Sequence, residues 1–161
     1  MLSATHAARG GAAQGKLRVL FLCTGNSARS QIAEAWANAL AGDVLEARSA
    51  GTSPKGLDPR VVEVMAEAGI DVSGQRSKPV EELLHLQFDL VVTVCDAARE
   101  SCPTFPGRVR HLHAGFDDPP RLAAAAASEE EAAAVYRRIR DEIRAFVEGL
   151  RAELEGRGGE G

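Results

Sequence analysis

The segment LRVLFLC, Leu17–Cys23, is almost entirely apolar and ends at a turn that contains glycine. A strand with apolar side chains on both faces must be covered on both faces, as strands are in a parallel sheet. A helical pattern follows at once over residues 30–41, with apolar side chains at helical spacing before Gly42. Because buried strands followed by helices are the units of α/β folds, this segment restricts the chain to that class.

Strand and helix patterns alternate along the rest of the chain. Three further segments have the composition of strands: residues 44–50, residues 88–94, and residues 109–113, which alternate as an edge strand does. Two segments have helical patterns: residues 59–69, capped by Asp58 with Pro59 at the first position, and the shorter stretch 78–86.

A capping box, Ser128 with Glu131, opens the last predicted helix. Its apolar face consists of Val135, Ile139, Ile143, Phe146, Val147, Leu150 and Leu154. We therefore predict a three-layer α/β/α fold with a central four-stranded parallel sheet. Residues 16–155 of the 161 are expected to form one domain, with a disordered N-terminal tail at 1–15 and a flexible Gly-rich tail at 156–161.

Charge and cysteine content exclude several classes of function. The net charge of −4 argues against nucleic acid or an anionic membrane as the main partner, since both attract a basic excess. No run approaches the about 18 apolar residues of a membrane span, and no targeting segment precedes the first strand. With 3 cysteines, a disulfide-stapled secreted fold is not expected. We predict a soluble cytoplasmic protein with free thiols.

The loop between the first strand and the first helix contains a cysteine and an arginine five residues apart, followed by a serine: Cys23, Arg29 and Ser30. Backbone N–H groups of such a loop, a helix N-terminus and a guanidinium together bind a tetrahedral oxyanion. The predicted oxyanion-binding residues are Thr24, Gly25, Asn26, Ser27, Ala28 and Arg29. The same field is expected to make Cys23 a thiolate, with a hydrogen bond from Ser30. Gly25 and Asn26 suit the left-handed backbone that the loop requires.

An acidic residue completes the predicted catalytic set. Asp118 lies in GFDDPP, where a carboxylic acid next to a proline turn is placed to protonate a leaving group. Taken alone, this sequence is more often the start of a helix. Neither of the common nucleotide-binding patterns is present, so the cysteine loop is expected to bind an oxyanion next to a nucleophile and not a nucleotide.

Two further cysteines, Cys95 and Cys102, lie seven residues apart after the second apolar strand. Because neighbouring parallel strands end at one sheet edge, Cys95 could face Cys23 there. If residues 95–102 are helical, Cys95 and Cys102 are about 10 Å apart, beyond the about 7 Å that a disulfide allows, so a bond between them needs the helix to unwind. Two incidental buried cysteines remain an alternative. A zinc site with His111 and His113 is disfavoured, because the spacing is not a usual zinc pattern.

From about Leu17 to Leu154 the chain resembles the thioredoxin-coupled arsenate reductases, which share the fold of the low-molecular-weight protein tyrosine phosphatases. Four phrases carry the resemblance: VLFLCTGNSARSQIAEAW, SAG, FDLVVTVCDAARESCP and GFDDP. The cysteine–arginine loop and the Asp-Pro pair are common to both families. The pair Cys95 and Cys102, with Gln31 after the loop, points to the reductases.

The resemblance implies a three-cysteine relay that reduces arsenate to arsenite. Cys23 attacks arsenate while Asp118 protonates the departing hydroxyl. Cys95 then attacks Cys23 to release arsenite, and Cys102 attacks Cys95. Thioredoxin re-reduces the resulting Cys95–Cys102 disulfide, so the protein itself needs no bound cofactor. We also expect a monomer, phosphate as a substrate analogue, and a weak phosphatase side activity.

The chain departs from this family pattern at several positions. Ala28 replaces a frequent extra cysteine that the relay does not use. The potassium site of some members corresponds to Asn26, Glu34 and Ser49, but Lys78 replaces an acidic ligand, so no metal is expected.

Three alternative functions remain open. The first is a phosphomonoester hydrolase of the phosphatase type, disfavoured because Pro120 stands where those enzymes usually have tyrosine and the only tyrosine is Tyr136. The second is a non-catalytic oxyanion- or arsenite-binding regulator. The third is a reductase that uses a low-molecular-weight thiol, which would leave Cys95 and Cys102 without a role.

Overall fold

A computed structural model of the protein describes the backbone of residues 15–160 and the side chains of residues 15–156. Its centre is a four-stranded parallel sheet of order β2-β1-β3-β4. The strands are β1 (Leu17–Cys23), β2 (Leu45–Gly51), β3 (Leu90–Thr93) and β4 (Arg110–His113). The predicted three-layer α/β/α fold with this sheet is confirmed, and residues 110–113 form an edge strand as predicted.

Helices connect and cover the strands. They are α1 (Arg29–Ala41), α2 (Pro59–Glu67), α3 (Asp96–Glu100), α4 (Pro119–Ala124) and α5 (Glu129–Glu160), with a 3₁₀ helix at Val80–Leu83. The predicted cap of α2 is confirmed, since the Asp58 carboxylate accepts a hydrogen bond of 2.9 Å from the Arg60 N–H. No helix within residues 15–160 is both long and apolar enough to cross a membrane.

The hydrophobic core lies on both sides of β1 and β3. Every residue from Val19 to Cys23 is buried, and so is every residue of β3, because these two strands are the inner pair of the sheet. Leu22 is opposite Thr93 in the parallel register. The chain therefore leaves β1 and β3 at the same edge of the sheet, which brings the segments after Cys23 and after Thr93 together.

Two of the predicted local features differ in the structure. The stretch 78–86 is helical only at Val80–Leu83, because the backbone of Lys78 instead bonds to Gly51 and to Asn26. In the capping box, the Glu131 carboxylate accepts from the Ala127 N–H and not from that of Ser128.

The last helix ends at Glu160, within the Gly-rich segment GRGGEG. Adding residues to an existing helix is easier than starting one, because nucleation has already occurred. The flexibility of 156–161 stays a prediction. Residues 1–14 of the predicted N-terminal tail lie outside the described residues.

Candidate active site

The loop after β1 is held with its carbonyl groups directed away from its centre. Backbone N–H groups of the segment after β2 bond four of these carbonyls, at distances of 2.8–3.1 Å: Thr52 to Cys23, Ser53 to Thr24, Lys55 to Gly25, and Asp58 to Ser27. The Gln31 amide bonds the Asn26 carbonyl at 3.0 Å. Among the described residues, the N–H groups of residues 25–28 have no acceptor. The loop therefore offers donors, not acceptors, to a bound anion.

Asn26 is the residue around which the loop folds. It is fully buried and has φ 45°, so the left-handed backbone predicted for Asn26 is confirmed, whereas Gly25 does not have a positive φ. Its side-chain amide donates to Ser30 at 2.8 Å and to Ser49 at 3.0 Å, and accepts from the Lys78 N–H at 2.9 Å. Asn26 thus ties the loop to α1, β2 and the 3₁₀ region at once.

Gly51 at the end of β2 allows the loop to approach the sheet. A Cβ at this position would lie 2.5 Å from the Thr24 carbonyl oxygen and 2.9 Å from the Asn26 Cβ. Both distances are shorter than any side chain tolerates. Glycine is required here because of this close approach, which explains the SAG sequence.

Arg29 and Asp118 lie together at the rim of the loop. The Arg29 guanidinium donates to the Phe116 carbonyl at 3.0 Å and is 3.7 Å from the Asp118 carboxylate. Asp118 is the residue before α4 and its side chain is 43% exposed, so it can exchange protons with solvent or substrate. The structure thus brings the predicted anion ligand and the predicted acid to one place.

The thiols of Cys23 and Cys95 line the same cavity and are close enough to shift each other's pKa. Both residues are buried, and both are free thiols. The hydroxyl of Thr24 lies 3.3 Å from the Cys95 Sγ. The two strand ends therefore place a second thiol against the first, as expected from the parallel sheet.

The thiols of Cys23 and Cys95 shift each other's pKa. Interaction with the Cys23 thiol lowers the pKa of Cys95 to about 5; burial opposes this, and Thr24, the Ala98 N–H and Arg29 add to it. For Cys23, the Cys95 thiol and burial raise the pKa, while Arg29 and the Thr24 N–H lower it. The first proton lost belongs to the pair, so the Cys23 thiolate stays a prediction.

Ser30 has a different neighbour from the one predicted. Its hydroxyl is fully buried and accepts the hydrogen bond from Asn26, and none of the described hydrogen bonds joins it to Cys23. Ser30 therefore supports the loop through Asn26.

Cys102 lies apart from the other two cysteines. It is half-buried, and its Sγ is 3.6 Å from the Pro103 carbonyl oxygen. It lines a separate cavity of about 290 Å³ with Thr93, Arg99, His111, Leu112 and His113. Burial raises the pKa of its thiol. Because α3 lies between Cys95 and Cys102, the structure does not bring the third thiol into the site.

The described residues contain no group of three or more His, Cys, Asp or Glu that could hold a metal ion. Of the residues in the zinc alternative, Cys102, His111 and His113 line one cavity and Cys95 lines another. Below the loop, the Ser49 hydroxyl donates to Glu34 at 2.5 Å. Burial raises the pKa of Glu34, while Ser49 and Lys78 oppose the rise. The Lys78 ammonium donates to the Arg76 carbonyl at 2.9 Å.

Several cavity residues are not evident from the sequence. The cavity of about 520 Å³ above the loop is lined by Cys23, Arg29, Cys95 and Asp118, and also by Lys55, Leu57 and Asp58. Lys55 packs over Gly25. The segment 55–58 carries no motif of its own, and only its hydrogen bonds to the loop place it here. Tyr136 is buried and donates to Asp58, so it does not stand at the cavity.

Comparison with known proteins supports this geometry. Residues 18–157 match the family of the low molecular weight phosphotyrosine protein phosphatases. The arsenate reductase of Bacillus subtilis is 47% identical over 125 residues, which is 78% of this chain and 88% of that protein.

Two solved structures have the same fold. An arsenate reductase in the phosphate binding state matches with TM-score 0.69 and 29% identity, over 86% of this chain and 98% of that one. The thioredoxin-dependent arsenate reductase of Corynebacterium glutamicum matches with TM-score 0.68 and 29% identity, over 96% of this chain and 69% of that one. The loop, the arginine and the paired thiols are therefore found in a chain that belongs to the low molecular weight phosphotyrosine protein phosphatase family, among its arsenate reductases.

Proposed function

We propose that this protein reduces arsenate to arsenite through Cys23, Cys95 and Cys102, and that thioredoxin reduces the disulfide that results. The observation that carries the proposal is that the Cys23 and Cys95 thiols line one cavity together with the anion-binding loop and Arg29. A phosphatase needs one nucleophile, whose covalent intermediate water can hydrolyse. A second thiol next to the first can instead attack the sulfur of that intermediate.

In the first step the Cys23 sulfur attacks arsenic. The loop N–H groups and Arg29 hold the oxyanion, and a hydroxide leaves as water with the proton of Asp118. The Cys23–Cys95 pair holds one proton, and this proton lies on Cys95 as the Cys23 sulfur bonds to arsenic. The 43% exposure of Asp118 allows its proton to be replaced from solvent.

The second step transfers two electrons. Cys95, deprotonated again, attacks the Cys23 sulfur, and the electron pair of the sulfur–arsenic bond stays on arsenic. Arsenic is reduced from As(V) to As(III) and leaves as arsenite after its oxygens take up protons. The two thiols are oxidised to the Cys23–Cys95 disulfide.

The third step passes the disulfide outward. The Cys102 thiolate attacks the Cys95 sulfur, and Cys23 leaves as a thiolate with no net oxidation. The dithiol of thioredoxin then reduces Cys95–Cys102. No bound cofactor takes part in this scheme. We propose that the protein acts as a monomer in the cytoplasm, where thiols are kept reduced.

Turnover separates this function from phosphate-ester hydrolysis. In the absence of thioredoxin, the reduced wild-type protein should release one arsenite per chain, and so should Cys102→Ser, which lacks only the third step. Cys23→Ser should release none. Cys95→Ser should release none while still hydrolysing p-nitrophenyl phosphate slowly. If Cys95→Ser reduces arsenate as the wild type does, the relay is wrong.

Coupling to thioredoxin is measured as arsenate-dependent oxidation of NADPH with thioredoxin and its reductase. We expect multiple turnovers only with all three cysteines present. Phosphate-ester hydrolysis without arsenite release in the wild type would favour the phosphatase function instead. That function has some support from the family description, although Pro120 and the buried Tyr136 leave no aromatic side chain from these two positions at the cavity.

A further inference from the structure

Helix α3 is a barrier to the third step. Cys95 directly precedes α3, and Cys102 follows its end by two residues. The five-residue helix Asp96–Glu100 alone rises about 7 Å between the two cysteines, and a disulfide needs Cα atoms within about 7 Å. Cys102 also lines a different cavity from Cys95. The helix must therefore open before Cys102 reaches Cys95.

One side-chain hydrogen bond connects α3 to the rest of the described chain. The Asp96 carboxylate, at the first position of α3, is 3.0 Å from the His113 Nε2 on β4. The other ring nitrogen of His113 is 2.8 Å from the hydroxyl of Thr93, which is buried. The remaining side-chain bond of this segment, from Ser101 to the Ala97 carbonyl, is local. The buried Thr93 thus fixes the ring that holds the start of α3.

Besides the packing of the buried Ala98, interactions of Cys95 restrain this helix, and these change with the redox state. In the dithiol form, the Ala98 N–H and Thr24 stabilise a thiolate at Cys95. Formation of the Cys23–Cys95 disulfide removes that charge, and hydrogen bonds to a neutral sulfur are weaker. The bond between Asp96 and His113 involves neither sulfur and is unaffected. It is therefore the side-chain restraint that persists when Cys102 must move.

We propose that His113, acting through Asp96, is a positioning residue that holds α3 closed and thereby sets the rate of disulfide transfer from Cys23–Cys95 to Cys95–Cys102. This inference rests on the proposed function. The transfer itself is a thiol–disulfide exchange in which the Cys95–Cys102 bond forms, the Cys23–Cys95 bond breaks, and Cys23 leaves as a thiolate. Solvent takes the proton of Cys102. The first two steps do not require α3 to open.

Single-turnover kinetics test the proposal. The reduced protein is mixed with arsenate, quenched with an alkylating agent, and mapped by mass spectrometry for each disulfide. We expect His113→Ala and Asp96→Ala to accelerate the transfer about fivefold, the effect of losing one partly exposed hydrogen bond. Arsenite release should be unchanged. The double variant should match the single ones, because both remove the same contact.

Two further variants serve as controls. His111→Ala alters the same cavity, but the structure gives the His111 side chain no hydrogen bond within the described residues, so the transfer rate should equal that of the wild type. Asp96→Asn keeps an oxygen that can accept from the His113 ring, so its transfer rate should stay close to that of the wild type. Asp96 is 77% exposed, so its variants test the contact even if His113→Ala does not fold.

An unchanged or slower transfer in Asp96→Ala would overturn the proposal. Failure of the proposed function looks different, because no arsenite would form in the wild type. Opening of α3 can then be measured directly by hydrogen exchange of its backbone amides in Cys102→Ser, oxidised to trap the Cys23–Cys95 disulfide. Addition of Asp96→Ala should raise that exchange about fivefold. Equal exchange with and without Asp96→Ala would show, independently of arsenate chemistry, that the bond between Asp96 and His113 does not hold α3 closed.

Discussion

Replacing Asn26 tests how the anion-binding loop is held. The side chain is fully buried and bonds to Ser30, Ser49 and the N–H of Lys78, which belong to three different segments. The residue also has φ 45°, a conformation that asparagine tolerates better than alanine does. Asn26→Ala therefore removes both the bonds and the residue type that suits this backbone.

The expected loss follows from these contacts. Leaving the partly buried N–H of Lys78 without an acceptor costs about 1–2 kcal/mol. Placing alanine in the left-handed region costs about 1 kcal/mol. We assign no cost to Ser30 and Ser49, whose hydroxyls can rotate. The free energy of unfolding should thus fall by about 2–3 kcal/mol, which lowers Tm by about 4–12 °C for a chain of this size.

Urea unfolding followed by circular dichroism measures this loss. Asn38→Ala is a matched control: it makes the same chemical change at an exposed position in α1, where the side chain bonds only to the backbone of Ala47. The control also leaves an N–H without its acceptor, that of the buried Ala47, so it should lose about 1–2 kcal/mol and lack only the cost of the left-handed backbone. If Asn26→Ala stays within about 1 kcal/mol of the wild type at an unchanged m value, Asn26 does not hold the loop.

Three further predictions concern the site. Gly51→Ala brings a Cβ to 2.5 Å from the Thr24 carbonyl oxygen, so Tm should fall. Bound phosphate should also protect Cys23 less well against alkylation, and unchanged protection would contradict this. Asp118→Asn should slow arsenite formation about 100-fold without weakening phosphate binding, and a wild-type rate would exclude it as the acid. Thiolate absorbance at 240 nm should be absent well below pH 5 and amount to one thiolate per chain above it, as the Cys23–Cys95 pair loses its first proton; appearance only above pH 8 would exclude the lowered pKa.

Much of the fold could be predicted from local patterns. The apolar runs of β1 and β3 identify the inner strands, because strands covered on both faces have few polar positions. Asp58 and Pro59 mark the start of α2 for a local reason as well, since capping depends on neighbouring residues. A helix over the whole stretch 78–86 was predicted but does not form, because the backbone of Lys78 bonds to residues far away in the sequence.

The candidate site was predictable where a short segment performs a complete task. The loop from Cys23 to Arg29 has the residue types for binding an oxyanion, and Asn26 adopts the expected left-handed backbone. Lys55 could not be found in this way, because its place at the cavity depends on a bond between its N–H and the Gly25 carbonyl. The separate cavity of Cys102 was equally hidden from the sequence.

The sequence by itself determined the α/β class, the anion-binding loop and the presence of three thiols, since each depends on the identities of nearby residues. Only the tertiary structure decided how those thiols are arranged and charged. Thr24 and Cys95 are 71 residues apart along the chain, yet their contact helps to lower the pKa of Cys95. The same packing places α3 between Cys95 and Cys102. The pKa of a thiol and its distance from another thiol depend on neighbours in space, which the parallel strands bring together.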